Sequence, residues 1–244
     1  MRTPSKQEYC HELLGDRFEQ ALSVYDTQRR VELLIGEFLS EDMVREKKAL
    51  DVGCGFGFFS AALQRRGAQV TACDIGQTLL ERTRQRVGCK CELADALQLV
   101  QHFGNNCFDL IVSSECIEHT PAPADALRQM VAVLKPGGYL AVSTPNIIWS
   151  PVVKLATLAG LRPFDGYENF SSWKAIQKTL QANGVQIIRA SGLHLFPFQL
   201  GLHRFSRWCD RHLQVAKGFM INICVLGRKE LIVAGAPTAL GNTD

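Results

Sequence analysis

An α/β fold on a doubly wound, mainly parallel sheet is what this sequence predicts, from three observations. From Lys48 to Ser143 short apolar runs alternate with segments of helical periodicity, the order that puts helices on both faces of a parallel sheet. The first run, Ala49, Leu50 and Val52, ends in alternate glycines, Gly53, Gly55 and Gly57, ahead of a helical pattern over 58–66. That is a strand, a tight turn and a helix opening. Farther on, LKPGG at 134–138 stops a helix, because Pro136 cannot continue it and two glycines permit the reversal into the next strand.

Apolar positions within residues 8–40 (Leu13, Leu14, Phe18, Leu22, then Val31, Leu34, Ile35, Phe38) predict one or two helices that cap the site. Strands follow at about 48–53, 69–74, 89–93, 108–114 and 138–143, with helices near 58–66, 77–87, 96–102 and 122–134. Residues 144–171 mix aromatics, prolines and glycines, an irregular excursion carrying a short helix at 151–159; long excursions of this kind are usually functional. A helix near 171–183, a strand near 185–190 and a final strand near 219–228 complete the order. The chain reads as one domain: cap helices over 1–45, a cofactor-binding core over 46–146, substrate-side excursions and the last two strands over 147–233, and a flexible tail over 234–244.

With 244 residues the chain can bury a full core without staples. Hydrophobic content of 46% and charged content of 21% are those of an ordinary globular protein, and a net charge of +3 is too small to imply a nucleic-acid partner. The nine cysteines include no C-x-x-C pair, which argues against a disulfide framework and for a reducing, cytoplasmic setting. The N-terminal residues show no secretory signal, and nowhere do eighteen apolar residues run together, so no transmembrane span is expected. A monomer or homodimer is expected.

The glycine turn is followed by Asp74, at the end of the next strand, and by Asp95, at the end of the third. A carboxylate at the first position suits a ribose diol. At the second it suits an adenine amino group, with the Ala96 N–H offered to the ring. Each acid alone is more often a cap or a turn residue; their shared sheet edge is what gives them meaning. A dinucleotide fingerprint needs G-x-G-x-x-G, but its third glycine would fall at Phe58. Asp51, just ahead of the turn, would repel a pyrophosphate and attract an α-ammonium. S-adenosylmethionine is favoured over NAD. Cys54 in the turn, Ile75 after the acid and Ser114, which ends the fourth strand beside the switch point, complete the expected cofactor wall.

LDVGCGFGFFSAAL, ACDI, LADA and FDLIVSSECIEHTPAPADALRQMVAVLKPGGYLAVSTPN together resemble the core of class I S-adenosylmethionine-dependent methyltransferases, and within them the ubiquinone-biosynthesis O-methyltransferase type. The likeness is strong over about 48–146 and weak in the flanks. It implies a Rossmann-like, seven-stranded sheet whose last strand is antiparallel. It also implies an arginine of the preceding helix on the methionine carboxylate, a place matched by Arg30 or its neighbour Arg29; a solvated helix face is the bland alternative.

Transfer of a methyl group to oxygen needs alignment and a proton acceptor. His119, a few residues beyond the fourth strand, is the candidate base. The bland alternative is that Glu118 and His119 only shape the loop, and Glu115, Glu118 and His119 could instead hold a divalent ion; no metal is assigned. Trp149, Phe164, Tyr167, Phe170 and Trp173 would wall a small apolar or aromatic acceptor. In 202–213, Arg204, Arg207 and Arg211 recur at helical spacing beside Leu202, Phe205 and Trp208, which describes a solvated covering helix or one in peripheral contact with a membrane. SSECIEH stands where nucleic-acid amino methyltransferases carry a D/N/S-P-P-Y/F/W motif, so no nucleic-acid substrate is expected. N- or C-methylation of a metabolite and a scaffold that binds the cofactor without turnover are the alternatives to O-methylation.

Overall fold

The computed structural model describes residues 24–159, 166–196 and 201–231. Seven strands, β1 Lys48–Val52, β2 Gln69–Asp74, β3 Lys90–Leu93, β4 Phe108–Ser114, β5 Leu134–Pro145, β6 Val185–Leu193 and β7 Asn222–Lys229, form a single sheet. Its order is β3-β2-β1-β4-β5-β7-β6. Pairing is parallel from β3 through β5, and β7 runs antiparallel to both β5 and β6. The fold class and the antiparallel last strand are those the sequence predicted. The strand order reverses between β1 and β4, the switch point beyond whose carboxyl ends open sheets bind ligands.

The described helices are α1 Val24–Val31, α2 Phe58–Arg65, α3 Gln77–Val87, α4 Leu99–Phe103, α5 Pro123–Val133, α6 Ser150–Leu158, α7 Trp173–Ala182 and α8 His203–His212. α1 runs into a π-helical turn, Glu32–Glu37, whose Leu33, Leu34 and Ile35 are buried. Of the expected N-terminal apolar face, Leu13, Leu14, Phe18 and Leu22 lie outside the described residues.

Strand alternation divides the core between the two faces of the sheet. Leu50, Val52 and Ile111 pack with Leu127 and Met130 of α5 and with Ile176 and Leu180 of α7. Ala49, Leu110 and Val112 pack with Phe59 and Leu63 of α2 and with Leu34 and Phe38. Two boundaries differ from expectation for local reasons. The helix expected over 96–102 begins at Leu99, because the Asp95 carboxylate first takes the Leu97 N–H at 2.8 Å in a turn. The LKPGG reversal lies inside a longer β5, which slips register against β4 between Phe108 and Leu110. A Cβ on Gly138 would stand 2.8 Å from the Asp109 carbonyl oxygen, so glycine lets the two strands close.

Candidate active site

The carboxyl ends of β1 to β4 open into one cavity of about 490 Å³. Its first wall is the turn after β1. Gly53 has φ 71°, and a Cβ there would lie 2.5 Å from Cys116 Sγ; the chain turns there only without a side chain. Gly55, at φ 52°, has no heavy atom within 4 Å of where its Cβ would be and lines the cavity. Bare backbone therefore faces whatever the cavity holds, and Cys54 lines it as well.

Asp74 ends β2 and is 8% exposed. Its Oδ2 accepts the Gly55 N–H and its Oδ1 the Gly76 N–H, both at 2.9 Å. The two bonds fix the carboxylate plane and leave each oxygen acceptor capacity toward the cavity. Past β3, Asp95 and Ala96 line the same wall, and Ile75, Leu79 and Leu97 make it apolar between the two acids. The cap or turn role that an isolated acid usually has holds for Asp95, which nevertheless faces the cavity.

Opposite stands Arg30 of α1, 5% exposed. Its Nε and Nη2 donate to Asp26 Oδ1 and Oδ2 at 3.2 and 2.8 Å, and its Nη1 donates to Ser114 Oγ at 2.8 Å. Burial alone would raise the Asp26 carboxyl, but the Arg30 charge and a bond from His194 bring it down to about 2. Arg30 and Ser114 both line the cavity. The neighbouring Arg29 turns elsewhere, to Glu32 at 2.5 Å, so Arg30 is the arginine that reaches the site.

Beyond β4 the wall becomes acidic. Glu115, at φ 52°, accepts from Ser143 Oγ at 3.0 Å, and Ser143 Oγ lies 2.8 Å from Ser114 Oγ. Glu118, 1% exposed, accepts from Thr144 Oγ1 at 3.1 Å. Burial pushes both carboxyls up to about 7; Glu118 adds to the rise at Glu115, while Arg30 opposes both. His119 follows on the 3₁₀ turn Ile117–His119, its Nδ1 3.0 Å from the Tyr167 carbonyl oxygen and its Nε2 3.9 Å from Glu118 Oε1. A carbonyl can only accept, so Nδ1 carries the proton and the basic lone pair of the neutral ring is on Nε2. Among the described residues no three His, Cys, Asp or Glu side chains are grouped to hold a metal ion.

Several expected residues stand apart. Asp51 is buried and takes the Ser60 hydroxyl at 2.6 Å. Strand alternation aims it at α2, away from the cavity wall, and burial raises it to about 7. It is thus not the exposed negative charge that was to select against a pyrophosphate. Gly57 does not line the cavity either: its Cβ position is 2.9 Å from Thr83 Cγ2, so it serves the packing of α2 on α3. Of the expected acceptor walls, Tyr167 and Phe170 line the cavity. Trp149 instead donates to the Phe219 carbonyl at 3.0 Å, Trp173 packs on the core beneath Lys217, and Phe164 lies outside the described residues. Sequence reading missed the raised Glu115 and Glu118 carboxyls and the Asp26 clamp on Arg30. Only the last had a signal, its i,i+4 spacing.

Bare backbone at Gly55, acids at two neighbouring strand ends and a guanidinium opposite fit an adenosine joined to an amino acid. Comparison with known proteins agrees. Residues 50–142 match the model of a methyltransferase domain. A ubiquinone biosynthesis O-methyltransferase of Yersinia pestis is 38% identical over 110 residues, covering 41% of this chain and 43% of that protein; the chain therefore matches under half the length of this curated relative. The magnesium protoporphyrin IX methyltransferase of Synechocystis PCC 6803, solved with bound S-adenosylhomocysteine, superposes with a TM-score of 0.67 at 16% identity, over 92% of this chain and 97% of that one. An S-adenosylmethionine-dependent methyltransferase from Mesorhizobium loti gives 0.63 at 22% identity, over 82% and 98%.

Proposed function

We propose that this chain, which carries a class I S-adenosylmethionine-dependent methyltransferase domain on its sheet core, methylates a hydroxyl of a small apolar or aromatic molecule. Asp74 would hold the ribose hydroxyls, Asp95 and the Ala96 N–H the adenine, and Arg30 the methionine carboxylate, with Gly53, Cys54, Gly55, Ile75 and Ser114 shaping the wall. When bound, the cofactor supplies a methyl group on a sulfonium, an electrophile already activated. What remains for the protein is alignment and proton removal.

His119 is the proton acceptor in this reading. The Tyr167 carbonyl fixes its tautomer, Nε2 takes the hydroxyl proton, and Glu118, 3.9 Å away and raised to about 7, stabilises the imidazolium that forms once its carboxyl is ionised. Tyr167, Phe170, Pro121 and Pro145 exclude water and favour an apolar acceptor. The O-methyltransferase relative supports oxygen as the nucleophile. α8 exposes Leu202, Phe205 and Trp208 beside Arg204, Arg207 and Arg211, an arrangement suited to a peripheral stay on a membrane that holds an apolar acceptor. No helix of the described residues is long and apolar enough to cross one.

The observation that carries the reading is that His119 lines the same cavity as the two strand-end acids. The test is methyl transfer from labelled cofactor to a panel of phenols, lipid quinol precursors and amines. His119→Ala should lower kcat roughly 10²-fold and leave S-adenosylhomocysteine affinity within about twofold. Unchanged turnover would remove the base, and transfer to amines alone would remove oxygen.

A further inference from the structure

His194 is fully buried, lies at the end of β6 and is outside the cavity wall described above. Its Nε2 donates to Asp26 Oδ1 at 2.9 Å, the oxygen that also accepts Arg30 Nε. From this geometry we infer that His194 is a positioning residue for the cofactor: it fixes the Asp26 carboxylate, which in turn aims the Arg30 guanidinium at the methionine carboxylate. The inference rests on the reading of Arg30 given above.

Asp26 and Arg30 are an i,i+4 pair on one helix, so the two bonds between them tie the carboxylate to nothing outside α1, although Arg30 itself also donates to Ser114. Arginine also has much rotamer freedom to lose before it can meet a carboxylate in a fork. The third bond changes this because His194 belongs to a different and rigid part of the molecule. Its own carbonyl accepts the Ile221 N–H at 3.1 Å, just ahead of β7, and the next residue, Leu195, donates to Asp210 Oδ1 of α8 at 3.2 Å. The backbone at His194 is left-handed, φ 60°, a conformation uncommon for a residue other than glycine. Tyr25 of α1 lies against the ring, centroids 5.8 Å apart. The imidazole thus ties the far edge of the sheet to α1, beside the bond from Tyr25 Oη to the His203 carbonyl, and α1 delivers Arg30 to the switch point. An aspartate oxygen can only accept, so Nε2 carries a proton whatever the charge of the ring.

The test uses two ligands by calorimetry: S-adenosylhomocysteine and 5′-methylthioadenosine, which keeps the nucleoside and thioether but lacks the amino-acid end. His194→Ala should weaken S-adenosylhomocysteine about tenfold and leave methylthioadenosine within twofold. His194→Gln, whose amide nitrogen reaches nearly the same place, should restore most of the loss. In an Arg30→Ala background, His194→Ala should change neither ligand further. Equal losses for both ligands, unchanged S-adenosylhomocysteine affinity or full additivity with Arg30→Ala would each overturn the role of His194. Wild-type protein that binds both ligands equally tightly would instead overturn the reading of Arg30 beneath it.

Discussion

The cofactor half and the acceptor half of the cavity are built by different means. In the first, three consecutive strands end on one sheet edge, and the groups that face the cavity are backbone or carboxylates held by backbone: Gly55, Asp74 with its two N–H bonds, and Asp95 in its own turn. Every bond there closes within the β-α repeat. In the second, side chains meet groups of distant segments: Glu118 with the Thr144 hydroxyl and His119 with the Tyr167 carbonyl. Apart from Arg30, which α1 brings in, the first half depends on the sheet ends. The second depends on long-range packing and can change its acceptor without disturbing the sheet.

The largest effect expected from this contrast is at Asp74. Asp74→Ala removes both the proposed partner of the ribose diol and the brace on Gly55 and Gly76, and charged hydrogen bonds of this kind contribute about 1.5–3 kcal/mol each. Affinity for S-adenosylhomocysteine should fall on the order of 10²-fold by calorimetry. Asp74→Asn, which can still brace one N–H, should lose less. Equal affinity in all three proteins would break the comparison, because it would leave the cofactor half without its main polar anchor.

The two turn glycines that line the cavity sharpen it next. Gly53→Ala puts a methyl group 2.5 Å from Cys116 Sγ at a left-handed φ, whereas Gly55→Ala, also left-handed, meets nothing but the cavity. The first should lower thermal stability by roughly 1–3 kcal/mol and impair binding only through the fold. The second carries only the left-handed strain, roughly 1 kcal/mol, so it should lose less stability and should weaken S-adenosylhomocysteine about tenfold. If both lost stability alike, Gly55 would be a turn glycine like its neighbour and not a place of ligand approach.

The same contrast explains what the sequence made legible. Strand and helix periods, the glycine turn and the acids at strand ends are local patterns, so the fold and the placing of Asp74 and Asp95 along one sheet edge could be read directly. Asp51 was misread because a motif position says nothing about which face of the strand its side chain takes; alternation with Leu50 and Val52 turned it toward Ser60. Trp149 and Trp173 were misread because aromatics in an excursion carry no register. His194 and Asp26 are 168 residues apart, and the rise at Glu115 and Glu118 comes from burial that only the folded chain creates. Neither leaves a local trace.

The smallest effect tests where the stored charge lies. Asp51, Glu115 and Glu118 are each raised to about 7 in the folded protein, from ordinary values of 3.8, 4.5 and 4.5. Between about pH 4 and 7 the folded state therefore holds protons that the unfolded chain has released, and stability must fall as pH rises through that window, flattening above it. Asp26, lowered to about 2, acts the opposite way and only below 3.8, where its contribution is lost on acidification. Two of the three raised groups belong to the acceptor half. Scanning calorimetry of the ligand-free protein should show Tm falling by several degrees from pH 5 to 7.5, and the double variant Glu115→Gln, Glu118→Gln should flatten that slope more than Asp51→Asn. A slope carried mainly by Asp51 would move the strain of ionisation from the acceptor wall to the β1–α2 junction. The acceptor half would then be the electrostatically relaxed one, with Glu118 free to ionise beside His119 at little cost.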